Sequence, residues 1–134
     1  AMMEEEKYGK EPGGPYLVQA GERLARAILG SGVGLHGAAE IMGIQPDHLA
    51  EALRGKRPVD TLAMLQLAQH LAQMGWSGRP GNASDIAWWL AMGVAAGLPE
   101  PKAGSESRRL YRYGDPKEIV QHVLSMPGDA QARH

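Results

Sequence analysis

Apolar residues recur at three- and four-residue steps along most of this chain, which is the period of an amphipathic helix. From Tyr16 to Leu29 the stripe is Leu17, Ala20, Leu24, Ala27 and Ile28, with Glu22, Arg23 and Arg26 on the wet side. "GSGVG" stops it. A second helix is predicted over 35–42, with Ala38, Ala39, Ile41 and Met42 inward and Gly43 as a left-handed stop. A third is predicted over 46–54, where Pro46 suits a first turn, Leu49, Ala52 and Leu53 face inward and Gly55 ends the run. A fourth carries Leu62, Leu65, Leu67, Ala68 and Leu71, with Asp60 or Thr61 as its cap.

Beyond "GWSGRPGN" the pattern changes. "ASDIAWWLAMGVAAG" reads as a fifth helix, capped by Asn82 or Ser84 and closed at Gly97 before Pro99. "LPEPKAGSES" has the composition of a linker. "RRLYRY", residues 108–113, interleaves three Arg with two Tyr and predicts a short edge strand. "DPKEIVQHVL" predicts a last helix, with Asp115 as cap and Pro116 at its first position. The layout is therefore a flexible lead-in at 1–15, a first helical domain at 16–76, an extension at 77–126 and a frayed tail at 127–134.

Composition sharpens this reading. The chain has 134 residues, 43% of them hydrophobic, with three Trp, four Tyr and no Phe. A core of Leu, Ile, Val, Met and Ala suits close-packed helices better than a sandwich of strands, which prefer β-branched and aromatic residues. No Cys is present, which excludes disulfides and thiolate metal sites. No apolar run reaches the length of a membrane span, and the start lacks the order of a signal peptide, so a cytoplasmic protein is expected. Formal net charge is −1, far from the basic balance common among nucleic-acid binders. Any role on nucleic acid must then rest on local charge.

The spacing of Ala39, Gly43, Leu49 and Gly55 is specific: four, six and six residues. A small residue lets two helices cross tightly, the first glycine takes a dihedral that costs most residues about 1 kcal/mol or more, and Leu49 plugs the next helix to the core. On these residues the segment resembles the Xre (Cro/C1-type, lambda-repressor-like) helix-turn-helix family. "GKRP" resembles the family's basic turn, and Leu67, Ala68 and Leu71 resemble its next helix. The resemblance covers roughly 20–73. It implies a lambda-repressor-like helix-turn-helix domain; together with the C-terminal helical extension and the short edge strand read from the residues above, the expected fold is mostly all-α. It also implies sequence-specific binding of double-stranded DNA by a homodimer on inverted repeats.

In that geometry the exposed side chains of the second motif helix read base edges in the major groove. The candidate DNA contacts are Gln45, Asp47, His48, Glu51, Arg54, Lys56 and Arg57. Gln45 suits an adenine edge, His48 a guanine acceptor, and Arg54, Lys56 and Arg57 the phosphates, with Ser31 a further phosphate contact. Asp47 and Glu51 can accept from cytosine but are repelled by phosphate. The sequence also departs from the family. Gly34 and Leu35 stand where it usually has a Thr or Ser cap followed by Gln, Ala38 where Leu is common, and Leu53 where Glu is frequent. Over 20–70 five acids (Glu22, Glu40, Asp47, Glu51, Asp60) balance five bases (Arg23, Arg26, Arg54, Lys56, Arg57). Few counterions are released by so neutral a unit, so the expected affinity per monomer is modest and its salt dependence shallow.

The extension offers a second surface. Adjacent helix residues lie about 100° apart, so at least one of Trp88 and Trp89 can leave the core. They join Leu110, Tyr111 and Tyr113 as candidates for dimerisation or partner binding, although core packing is the favoured reading of the Trp pair. "RRLYRY" would suit single-stranded nucleic acid as well as strand pairing between two copies, and pairing is favoured. His36, His48, His70 and His122 lack ligand spacing, so no metal is expected. No phosphate-binding loop, nucleophile motif or clustered acid–base set appears, so neither catalysis nor a cofactor is expected. The leading expectation is a transcriptional regulator. The other is a protein-interaction module, antitoxin-like or an anti-activator, that keeps the helical scaffold without reading DNA.

Overall fold

A computed structural model of the chain describes residues 14–74, 83–93 and 105–126, and every element in them is a helix. In chain order these are α1 (Gly14–Ser31), α2 (Leu35–Met42), α3 (Pro46–Leu53), α4 (Thr61–Gln73), α5 (Ala83–Met92), α6 (Ser105–Tyr113) and α7 (Pro116–Leu124). The described residues contain no helix long and apolar enough to cross a membrane.

α1 is the hub. It packs against α3, α5, α6 and α7, so its buried face is wider than one stripe: Leu24, Ala25, Ala27, Ile28 and Leu29 are all inside. α2 rests on α3 and α4, and α4 also holds α5. Each fully buried Leu or Ile contributes about 1.5–3 kcal/mol relative to exposure. Side chains from both sides of the expected boundary at 76–77 enter one hydrophobic core, Ile86, Leu90, Leu110 and Ile119 among them.

Glycine makes the hub possible. A Cβ on Gly21 would lie 2.5 Å from the Ala52 carbonyl oxygen and 2.7 Å from that of Leu53, so α1 and the end of α3 touch backbone to backbone. The cost of Gly inside a helix, about 1 kcal/mol relative to Ala, is offset by that contact. Periodicity cannot reveal this, because a glycine contributes nothing to an apolar stripe.

Two arginines correct the reading of α1. Arg23 and Arg26, expected on its wet side, are both half-buried and hold the far part of the chain. Arg23 donates from Nε to the Leu90 carbonyl at 3.1 Å and from Nη2 to the Ala91 carbonyl at 2.9 Å. Arg26 donates from Nη1 to the Tyr111 carbonyl and lies over the Tyr111 ring, 5.6 Å from its centroid. The last carbonyls of a helix lack intrahelical partners and carry partial negative charge, so a guanidinium stabilises α5 and another α6 at their C-terminal ends.

The "RRLYRY" segment is not a strand. It lies in α6, with Leu110 and Tyr111 buried and Arg108, Arg109, Arg112 and Tyr113 exposed. Neighbours in a strand point to opposite faces; neighbours in a helix lie close enough to share one. Tyr111 reaches the core because α1 has Gly30 beneath its ring. Other differences are smaller. α5 ends at Met92 with Gly93 at φ +76°, before Gly97, and Asn82 lies outside the described residues. Leu62, 63% exposed, and Leu65 face out of α4, whereas Asp60 caps that helix through Leu62 N–H as expected. Asp115 stands at the N-cap of α7 without a side-chain capping bond, and Pro116 follows it.

Candidate nucleic-acid interface

Residues 35–57 form two eight-residue helices that stop in the same way. Gly43 sits at φ 73°, ψ 29°; its N–H donates to the Glu40 carbonyl and that of Ile44 to the Ala39 carbonyl. Gly55, at φ +76°, donates to the Ala52 carbonyl while Lys56 N–H donates to that of Glu51. Both are paired reverse bonds that close a helix around a left-handed glycine. Ala39 and Leu49, 1% and 0% exposed, lie in the core as their spacing requires. α3 begins at Pro46 after an extended Gln45, and the Gln45 side chain makes no capping bond.

With Leu49, Ala52 and Leu53 buried, the outer side of α3 and the turn after it present the expected set. Gln45, Asp47, Glu51, Arg54, Lys56 and Arg57 are exposed and His48 is half-buried. All seven therefore belong to one continuous surface segment. Two are joined: Arg57 Nη1 lies 3.0 Å from Glu51 Oε1, each side chain about half exposed. The pair is neutral, so the net charge of this face comes from Arg54 and Lys56 against Asp47. An exposed ion pair contributes about 0–1 kcal/mol, so a phosphate can recruit Arg57 from Glu51 at little cost.

Ser31 is not available to a phosphate. It is 3% exposed, its hydroxyl donates to the Ile28 carbonyl and accepts from Val33 N–H, and it closes the end of α1. The two departures at the start of α2 also have structural roles. Gly34 is an extended N-cap without a side-chain bond, and Leu35 is buried in the core. An apolar side chain there adds to the packing of α2 and gives the helix no polar arm at its start.

The second candidate surface divides. Leu110 and Tyr111 are core residues, 4% and 3% exposed, and so are withdrawn from any partner surface. Tyr111 packs over Gly30 of α1, and Leu110 belongs to the same hydrophobic core. Tyr113 is exposed, and of the tryptophans Trp88 is exposed while Trp89 is half-buried. Sequence reasoning did not find the surface of Tyr16, Leu65 and Trp88, which are brought together around a groove between α1, α4 and α5. Of the three, Trp88 alone stands out in the sequence, as half of the Trp88–Trp89 pair, whereas Leu65 is part of the apolar stripe of the fourth helix. Among the described residues no group of three or more His, Asp or Glu stands in positions to hold a metal ion. No family model, curated protein or solved structure matches this chain.

Proposed function

We propose that this protein is a sequence-specific DNA-binding transcriptional regulator of the Xre helix-turn-helix type, acting as a homodimer on inverted repeats. The observation that carries the reading is the α2–turn–α3 unit. Two short helices close on left-handed glycines, and the second offers Gln45, Asp47, His48, Glu51 and Arg54 outward from a buried Leu49 anchor. A helix exposed along one side and anchored along the other fits the major groove. Gln45 and His48 would read base edges; Arg54, Lys56 and Arg57 would meet phosphates. The dimer would join through exposed side chains of the C-terminal extension, among which Tyr113 is prominent at 78% exposure.

The test is selection from a random duplex pool, followed by binding of the retained sequence to the full chain. Arg54→Ala with Lys56→Ala is expected to weaken binding to every duplex and to lower the salt slope of the dimer by about four, one per lost phosphate contact and two contacts in each copy. Retention of no sequence at low salt, or unchanged binding by the double variant, overturns the reading or its contacts respectively.

A protein-interaction module is the second reading, and a specific pair of observations favours it. The start of α2 lacks a polar arm, since Leu35 is buried, and Glu51 holds Arg57 in a neutral pair. On that reading the surface around Trp88 does the binding, and a partner lost on Trp88→Ala, together with no DNA binding at low salt, would support it.

A further inference from the structure

The groove between α1, α4 and α5 encloses about 660 Å³. Small-molecule sites commonly fall at about 300–1,000 Å³ and combine apolar walls with a few placed polar groups. Leu17 of α1, Met64 and Leu65 of α4, and Ala87 and Trp88 of α5 contribute apolar walls. Thr61, Gln69 and Ser84 add uncharged hydrogen-bonding groups. Two aromatic rings, Tyr16 and Trp88, also line it, and Tyr16 is steadied by a 3.0 Å bond from its hydroxyl to the Ala91 carbonyl. Among the described lining residues one is charged, Arg57, and no acid accompanies it.

We propose that this groove binds an aromatic carboxylate, whose ring system lies between α4 and α5 and whose carboxylate meets Arg57, and that occupancy weakens the DNA surface. Charge complementarity selects the anion, since the one charged residue of the lining is a cation, and the acid bonded to it, Glu51, stands outside the lining and engages Nη1 alone. Ring chemistry selects the body, because an aromatic ring gains more than an aliphatic chain from packing with the aromatic residues Trp88 and Tyr16. Arg57 is half exposed and bonded to Glu51 through Nη1, and a guanidinium has five N–H donors in a planar fork suited to a carboxylate.

The coupling follows from Arg57 serving both surfaces. Arg57 is one of the residues lining the groove, while its partner Glu51 lies on the exposed side of α3. A bound carboxylate neutralises Arg57 and competes with Glu51 for it. The DNA surface then loses one phosphate-binding cation and regains one unpaired acid. By linkage, DNA must weaken the ligand by the same factor. This second half rests on the DNA-binding reading above; the ligand site itself does not.

Naphthoate and its neutral amide, naphthamide, are the probes, titrated into the isotope-labelled full chain and followed by amide and indole resonances. The expected result is perturbation of Val59, Met64, Leu65, Ala87 and the Trp88 indole, with the acid binding about tenfold tighter than the amide. Arg57→Gln should abolish that preference, and Trp88→Ala should weaken both probes alike. Equal binding of acid and amide, or perturbation confined to other surfaces, overturns the site. With a selected duplex, saturating naphthoate should lower DNA affinity about tenfold. Ala87→Trp, which fills the groove, should remove that effect and leave DNA affinity intact. DNA affinity indifferent to bound naphthoate overturns the coupling. A chain that binds no duplex yet prefers acid over amide refutes the regulator reading and supports the ligand site.

Discussion

The α2–α3 unit and the segment from α5 to α7 contrast in how their helices end. In the first, each helix is closed from within by a left-handed glycine and two backbone bonds spanning a few residues. In the second, α5 also stops at a left-handed glycine, Gly93, but it and α6 are in addition held at their C-termini by Arg23 and Arg26 of α1, 67 and 85 positions away in the chain. The first kind of ending is a local property. The second exists only when α1 is in place, so the distal helices are clients of the hub.

The strongest way to break this contrast is to break the hub itself. Gly21→Leu drives a side chain into the carbonyls of Ala52 and Leu53, and is expected to cost about 3 kcal/mol of unfolding free energy, measured by denaturant titration. A loss below about 1 kcal/mol would mean that α1 and α3 can separate without penalty.

Removing one arginine sharpens the contrast. Arg23→Ala and Arg26→Ala should each cost about 2 kcal/mol, the range for hydrogen bonds to charged groups. Hydrogen exchange gives the finer readout. Amides of α5 should lose protection in the first variant and those of α6 in the second, while α2 and α3 keep theirs. Uniform loss across all helices would show that the distal helices are not separately held.

Local endings should respond more weakly. Gly43→Ala is expected to cost about 1 kcal/mol for the left-handed dihedral. Gly55→Ala should cost more, because the added Cβ would also lie 2.8 Å from Val18 Cα. Equal losses at the two positions would mean that the approach of α1 to the second turn relaxes freely. The smallest stability change belongs to Glu51→Gln, within about 1 kcal/mol for an exposed pair. On the regulator reading it should nonetheless raise DNA affinity several-fold in an anisotropy titration, by releasing Arg57 and deleting an acid.

The same contrast explains what was legible beforehand. The bounds of α2 and α3 follow from Gly43, Pro46 and Gly55, and the cap of α4 from Asp60, because each acts on backbone within a few residues of itself. The "RRLYRY" run is ambiguous because six residues hold too little periodicity to tell strand from helix, and the deciding fact is Tyr111 packed over Gly30. Arg23 and Arg26 looked like solvent residues because charge is normally left in water. Their partners are distant carbonyls that carry no mark in the sequence. All seven candidate DNA contacts lie on one surface segment, yet the pairing of Glu51 with Arg57 across the turn was not foreseen, since the two are six positions apart and only the bend at Gly55 lets them meet.

By itself, the order of residues determined where helices start and stop near 35–57, since those choices are set by dihedral and capping preferences of about 1 kcal/mol acting over one turn. Tertiary structure alone decided the helical state of 105–113, the inward course of two arginines and the groove between α1, α4 and α5. Each of those depends on surfaces that meet only after the chain has closed over long separations, where burial of whole side chains outweighs any local preference.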